Sequence, residues 1–157
     1  MPKQRKLIEG LIQGDVEMGE SSSLKPGSLV SGQGGKVRLG EKVSINHGAF
    51  VGASPGSQVT IGDYTSIGPG ARVTASHHRV HSKHYRRPHR KTEDGIVIGA
   101  DCLIGANAVI QFGATIPDHV VIGALSLVTN SSELSSWGIY AGCPVKKIGD
   151  RRDKDKY

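Results

Sequence analysis

Aliphatic side chains recur at every sixth position along the central part of this 157-residue chain. Twelve positions keep this phase, and they are Leu39, Ile45, Val51, Ile61, Ile67, Val73, Ile98, Ile104, Ile110, Ile116, Ile122 and Val128. Glycine directly follows seven of them, and a small or β-branched residue fills the fifth place of most hexads. Neither a helix of 3.6 residues per turn nor an alternating strand has this period. The pattern predicts a triangular solenoid with one hexad on each face and the aliphatic side chains pointing inward.

A loop interrupts the repeat between its second and third coils. Val73 and Ile98 are 25 residues apart, which is not a multiple of six. The excess predicts a segment over residues 77–95 that leaves the solenoid. From Ile98 to Glu133 two coils follow each other without insertion.

The two ends of the chain lie outside the phased repeat. Near the N-terminus, apolar residues at the i, i+1, i+4 and i+5 positions predict a short amphipathic helix over residues 4–13. The Gly- and Ser-rich stretch that follows indicates a connector. We expect one all-β domain over residues 1–157, made of helix and connector (1–36), β-helix coils (37–133) and a C-terminal tail (134–157).

Composition supports a soluble protein without a membrane span. Aromatic residues make up only 4% of the chain, which suits a core of stacked Ile, Val and Ala. No apolar run approaches the roughly 20 residues that a membrane span requires, so we expect a cytoplasmic protein. Two cysteines, Cys102 and Cys143, do not make a disulfide framework. Because four coils bury a thin core, lateral packing of several solenoids is expected.

The net charge of +6 is concentrated in the predicted loop. Six Lys and Arg residues and no acidic residue lie between His77 and Lys91. A basic segment of this kind can bind nucleic acid. It contains one aromatic residue, Tyr85, and a solenoid offers no groove-reading helix, so we do not expect a nucleic-acid partner.

Several stretches together resemble the hexapeptide-repeat acyltransferases, in particular the maltose/galactoside and polysaccharide O-acetyltransferase branch. The resemblance covers roughly residues 37–148, and its motifs are Thr74-Ala75-Ser76-His77, Ile104-Gly105-Ala106-Asn107, Ile122-Gly123-Ala124 and Ala141-Gly142-Cys143-Pro144. It implies a left-handed parallel β-helix, a homotrimer with active sites between subunits, and acetyl-CoA as the acyl donor. The acceptor would be a hydroxyl or amine of a saccharide, and no metal would be needed.

The resemblance also implies roles for individual residues. His77 corresponds to the catalytic base, and Asn46 to an asparagine that contacts the acceptor. The donor-binding positions correspond to Gly105, Ala106, Ala124, Thr129, Lys146 and Lys147. Neighbouring side chains that would contact the acceptor are His47, His78, Arg86 and Arg87.

The chemistry of acyl transfer independently favours a histidine base. A hydroxyl becomes a good nucleophile only as its proton is removed, and imidazole, with an ordinary pKa of about 6.5, does this near neutral pH. Two alternatives stay open. A γ-type carbonic anhydrase would hold zinc with histidines on the same solenoid, for which His84 and His89 have superficially suitable spacing. A non-catalytic scaffold is the other.

Overall fold

The structure is a computed structural model that describes residues 8–76 and 95–153. Within these ranges the chain forms sixteen β-strands and no helix. Their bounds are β1 Leu11–Met18, β2 Ser23–Leu24, β3 Leu29–Leu39, β4 Ser44–Ile45, β5 Phe50–Ala53, β6 Gln58–Ile61, β7 Ser66–Ile67, β8 Arg72–Ala75, β9 Ile96–Ile98, β10 Leu103–Ile104, β11 Val109–Gln111, β12 Thr115–Ile116, β13 Val121–Ile122, β14 Leu127–Val128, β15 Gly138–Ala141 and β16 Lys146–Asp150. The strands wind into a β-helix of about five turns.

Each turn contributes a strand to three parallel ladders, which form three faces. Face 1 is the ladder β2-β4-β7-β10-β13-β15, and β16 closes it by pairing antiparallel with β15. Face 2 contains the first halves of β1 and β3, followed by β5, β8, β11 and β14. Face 3 contains the second halves of β1 and β3, followed by β6, β9 and β12. We call the corners that follow faces 1, 2 and 3 corner A, corner B and corner C.

The hexad prediction is confirmed by the register of the ladders. The four aliphatic positions of each face stand directly above one another, as in the row Ile45, Ile67, Ile104 and Ile122 on face 1. All twelve are at most 5% exposed. The small residues at the fifth place of the hexads, including Thr65, Ala108 and Ser126, are buried as well. The hexad period therefore defines both the inward face and the vertical stacking.

Glycine next to an inward aliphatic residue is required by close approach between turns. A Cβ built on Gly62 would lie 2.6 Å from the backbone nitrogen of Ala100 in the next turn. Any side chain there would push the two turns apart. The left-handed backbone conformation falls instead on other positions, and at corner C it is adopted by six non-glycine residues, namely Ser21, Lys42, Tyr64, Asp101, His119 and Trp137.

The predicted N-terminal helix is wrong for the part of it that the structure describes, residues 8–13. Leu11 and Ile12 belong to β1, which pairs in parallel with β3, and they are 57% and 38% exposed. The amide of Leu11 donates to the carbonyl of Ser28 at 2.9 Å. Glycines 10 and 14 each disfavour a helix by about 1 kcal/mol, while the edge of β3 offers a ready row of backbone partners.

The solenoid is also longer than the phased repeat predicted. The expected connector over residues 14–36 forms most of β1, together with β2 and the first part of β3, and Leu24, Val30 and Val37 are fully buried. The period missed this turn because Val30 and Leu39 are nine residues apart, so the six-residue phase is lost. At the other end, β15 continues face 1 with Tyr140 stacked below Ile122.

Insertions between hexads all fall at corner B. The next inward aliphatic residue on face 3 comes nine residues after Val30, ten after Val51 and 25 after Val73, but only six after Ile110. The predicted loop thus departs from the same corner as two shorter insertions, although residues 77–94 themselves lie outside the described part. Across the described ranges, no helix is long and apolar enough to cross a membrane.

Candidate active site

Half of the predicted donor-binding residues lie at corner A, together with the predicted acceptor contact Asn46. Asn46, Gly105, Ala106 and Ala124 each follow a face 1 strand, in successive or nearby turns. Strands in a ladder lie about 4.8 Å apart, so the row from Asn46 to Ala141, the last residue of β15, is about 20 Å long. The corner therefore forms an extended edge rather than a compact pocket.

The backbone of corner A is hydrogen-bonded between turns and carries two amides without a described partner. Leu125 donates its N–H to the carbonyl of Ala106 at 2.9 Å, which ties two turns together. No described residue accepts a hydrogen bond from the N–H of Ala106 or Ala124. Glycine at position 105 allows these two turns to approach closely, because a Cβ on it would lie 2.6 Å from the carbonyl carbon of Gly123. Fixed amides of this kind can bind a carbonyl or a developing oxyanion.

Asn46 is held by its own solenoid. Its side-chain nitrogen donates to the carbonyl of Ile67 at 2.9 Å and to the hydroxyl of Ser66 at 3.2 Å. Both side-chain N–H groups of Asn46 thus donate hydrogen bonds within the solenoid, and the side-chain oxygen is the atom that can accept one from a ligand. The neighbouring His47 is exposed at the same corner, and its carbonyl accepts the amide of Gly70 at 2.9 Å.

Thr129 lies apart from the other donor-binding candidates. It follows β14 at corner B, where its hydroxyl lies 3.0 Å from that of Ser131 and its amide donates to Ser132 Oγ at 3.0 Å. Lys146 is exposed and pairs across β15–β16 with Ala141, so it lies beside the C-terminal end of corner A. Lys147 lies 3.8 Å from the carboxylate of Asp150. The structure thus brings all the described candidates to corner A or to its C-terminal end, apart from Thr129.

The predicted base lies outside the described residues, as do His78, Arg86 and Arg87. The last residue described before it is Ser76, which follows β8 at corner B. Corner B and corner A are the opposite edges of face 2. Within one chain, the departure point of the loop is therefore separated from Ala106 by the width of that face.

A polar and aromatic cluster at corner C was missed by the sequence analysis. His119 Nδ1 lies 3.0 Å from Asp101 Oδ2, and the imidazole stacks on Trp137 with centroids 3.9 Å apart. Arg151 donates to the carbonyl of Asp101 at 2.6 Å and also lies 3.2 Å from its carboxylate. The hydrogen bond with His119 and the charge of Arg151 lower the pKa of Asp101, against the effect of burial. The sequence contained a signal for this cluster, since residues 101, 119 and 137 follow one another at intervals of 18 residues, the length of one coil.

The remaining titratable groups add no metal centre to the described part of the molecule. Among residues 8–76 and 95–153, no three His, Cys, Asp or Glu side chains come together in a metal-binding group. Burial raises the pKa of the Cys102 thiol, whose sulfur lies 3.1 Å from the carbonyl of Pro117. Cys102 is thus a buried small residue, as its place in the hexad suggested.

Known proteins share both the sequence pattern and the fold. The family model of the hexapeptide repeat of succinyl-transferase matches residues 95–129. Galactoside O-acetyltransferase of Escherichia coli (strain K12) is 31% identical over 155 residues, which cover 99% of this chain and 72% of that protein. Mitochondrial gamma carbonic anhydrase 2 of Arabidopsis thaliana is 21% identical over 90% of this chain and 46% of its own length.

Among solved structures, AntD shows the same fold. AntD is an N-acyltransferase from Bacillus cereus, and its complex with dTDP and 3-hydroxybutyryl-CoA has a TM-score of 0.77 at 23% identity. The match covers 96% of this chain and 83% of that one. A variant of AntD was solved with dTDP-4-amino-4,6-dideoxyglucose and coenzyme A.

Proposed function

The chain belongs to the hexapeptide-repeat acyltransferases, and on that premise we propose that it transfers an acetyl group from acetyl-CoA to a saccharide-linked hydroxyl or amine. The observation that carries the proposal is the 31% identity with galactoside O-acetyltransferase, because it extends over 99% of the chain and is not confined to the hexads. The acceptor is proposed as a sugar because that relative acts on a galactoside and AntD binds a nucleotide-linked amino sugar.

We propose that acetyl-CoA lies along corner A. The two amides of Ala106 and Ala124 without described partners suit the amide and thioester carbonyls of the donor. The exposed Lys146 and Lys147 at the C-terminal end suit its phosphates. The row of about 20 Å supports an extended ligand of this kind. Gly105 completes the proposed donor contacts at corner A, and Thr129, at corner B, would contact a donor bound along corner A of a neighbouring subunit.

In the proposed reaction His77 is the general base. Its imidazole takes the proton from the acceptor hydroxyl or amine while the oxygen or nitrogen attacks the thioester carbonyl carbon. The resulting oxyanion accepts a hydrogen bond from the N–H of Ala106. The carbon–sulfur bond then breaks, and the proton on His77 passes to the departing thiolate of coenzyme A. Asn46, His47, His78, Arg86 and Arg87 are the proposed acceptor contacts.

The two halves of this site require more than one chain. Corner A carries the proposed donor groups, whereas the chain enters the His77 segment from corner B on the other side of face 2. A homotrimer of left-handed solenoids, in which corner B of one subunit approaches corner A of the next, would bring them together. This arrangement is part of the proposal.

The test is acetyl transfer from acetyl-CoA to p-nitrophenyl β-D-galactopyranoside and to dTDP-4-amino-4,6-dideoxyglucose, followed by mass spectrometry. His77→Ala should lower kcat by about 10²–10⁴-fold and leave the calorimetric affinity for coenzyme A nearly unchanged, as expected for the loss of a base alone. His78→Ala is the matched comparison, because a proposed acceptor contact should raise the acceptor KM and leave kcat nearly unchanged. If His78→Ala is the crippled variant and His77→Ala stays active, the base is assigned to the wrong residue.

The same preparation tests the two alternatives. Activity should survive a chelator. Stoichiometric bound zinc with CO₂ hydration would favour the carbonic anhydrase. A chain that binds no coenzyme A and acetylates no acceptor would favour the scaffold.

A further inference from the structure

A shallow groove of about 290 Å³ lies on the outer side of face 2 beside corner B. Residues of the face 2 strands line it, together with two residues of the turn that follows β5, namely Ser31, Gln33, Phe50, Gly52 and Thr74, and Ser54 and Pro55. Ser76 lines it directly, and the proposed base His77 is the next residue in the chain. Under the proposed mechanism, a residue that lines the groove is therefore the chain neighbour of the general base.

An aromatic ring covers part of the face within this groove. Phe50 and Gly52 both point outward from β5, and a Cβ built on Gly52 would lie 2.6 Å from Cε1 of the Phe50 ring. The end of the ring therefore lies over the glycine, which is why Gly52 is buried. Phe50 itself is half-buried, and the guanidinium of Arg72 lies 5.7 Å from its ring centre.

Hydroxyl groups flank the glycine on both sides. Ser31, Gly52 and Thr74 are direct neighbours across three strands, so the two hydroxyls are separated by two ladder spacings, about 10 Å. Neither hydroxyl bonds to a described residue, and the side-chain amide of Gln33 has no described partner either. By contrast, the hydroxyl of Ser54 is engaged by the carbonyl of Ala75 at 2.9 Å.

This combination suits one sugar ring. The C–H face of a pyranose packs on an aromatic ring, and its hydroxyls need partners that both donate and accept, as Ser, Thr and Gln side chains do. The volume is near the lower limit of ligand pockets, about 300 Å³, and is too small for a whole nucleotide sugar. We propose that this groove is the acceptor-sugar subsite, with Phe50 as the stacking platform and Ser31 and Thr74 as the hydroxyl contacts. The inference rests on the proposed acetyl transfer.

Steady-state kinetics with the two acceptors named above test this subsite. Phe50→Leu should raise the acceptor KM on the order of 10-fold, because it keeps apolar bulk and removes the ring. Thr74→Val keeps the shape, removes one hydroxyl and should raise the same constant several-fold. Neither change should alter the KM for acetyl-CoA. Thr115→Val, at an exposed outward position on face 3, is the matched control and should leave both constants unchanged.

Thermal unfolding checks that each variant is folded, which is expected because the changed side chains lie on the outer surface. A third variant, Gly52→Ala, should displace the ring and weaken acceptor binding without removing any contact group. If acceptor KM is the same in Phe50→Leu, Thr74→Val and wild type, the subsite is wrong while the acetyltransferase stands. If wild type binds coenzyme A but neither saccharide, the subsite is likewise wrong. If it binds no coenzyme A, the proposed function itself fails.

Discussion

Thr65→Val should destabilise the protein although it changes the shape of the side chain very little. Thr65 is fully buried, and its hydroxyl connects two turns. It donates to the carbonyl of Gly99 at 2.8 Å and accepts the amide of Cys102 at 3.1 Å. The corresponding slot in other turns holds Val43 and Val120, both buried, so valine fits the available volume. The substitution therefore removes the two hydrogen bonds without a steric change.

The magnitude follows from the two groups that lose their partner. A buried donor or acceptor left without a hydrogen bond costs about 1–3 kcal/mol, and the added methyl group offsets about 0.8 kcal/mol. For the two groups together we therefore expect the free energy of unfolding to fall by about 1–5 kcal/mol. Urea unfolding followed by circular dichroism measures it, at one protein concentration because association contributes to stability.

Two further variants separate the hydrogen bonds from other effects. Thr65→Ser keeps the hydroxyl and should lose only about 1 kcal/mol for the methyl group. Ser22 already makes this connection two turns away, donating to the carbonyl of Gly40 and accepting the amide of Val43, both at 2.9 Å. The exposed Thr115→Val should stay within about 0.5 kcal/mol of wild type. A Thr65→Val protein as stable as wild type would refute the reasoning.

Two other predictions concern charged side chains. Because the pKa of Asp101 is lowered in the folded protein, its carboxylate stabilises the fold above its ordinary pKa of about 3.9, and this contribution is lost as the pH falls through the folded value. Melting temperatures measured from about pH 6 to pH 3 should therefore fall more steeply for wild type than for Asp101→Asn, and parallel curves would contradict this. Lys146→Ala should weaken coenzyme A binding by about 2–5-fold at low salt and less at high salt, measured by calorimetry, whereas Lys36→Ala on face 3 should not. Equal effects of the two lysine changes would show that the contact is only a general attraction.

The sequence predicted the central architecture well because one physical requirement repeats there. Every inward position must be aliphatic and must stack on the one above, so Ile45, Ile67, Ile104 and Ile122 are visible as a period and are found in one row. The six-residue period did not reveal the first turn, because an insertion after Val30 shifts the phase of the repeat there. The N-terminal pattern of Ile8, Leu11 and Ile12 fits a helix locally, but pairing with β3 decides the outcome, and pairing between distant segments is not a local property.

The candidate site was predictable in part. The row at corner A follows directly from the hexads, since Ala106 and Ala124 occupy equivalent positions in adjacent turns. The groove at Phe50 was not predicted, because Ser31, Gly52 and Thr74 become neighbours only through ladders whose spacing is altered by the corner B insertions. The roles of His77, Arg86 and Arg87 stay predictions.

Because insertions are confined to corner B, the residues that determine substrate choice can change in evolution without changes in the residues that form the scaffold. Ile61 keeps its register with both Leu39 and Ile98, although the insertions at corner B that precede these three residues differ in length. Residues added or removed at this corner therefore leave the core unaltered. Mutation can enlarge, shorten or replace the segment beside the acceptor groove in a single event, and selection can act on the new specificity before any compensating change in the interior is needed.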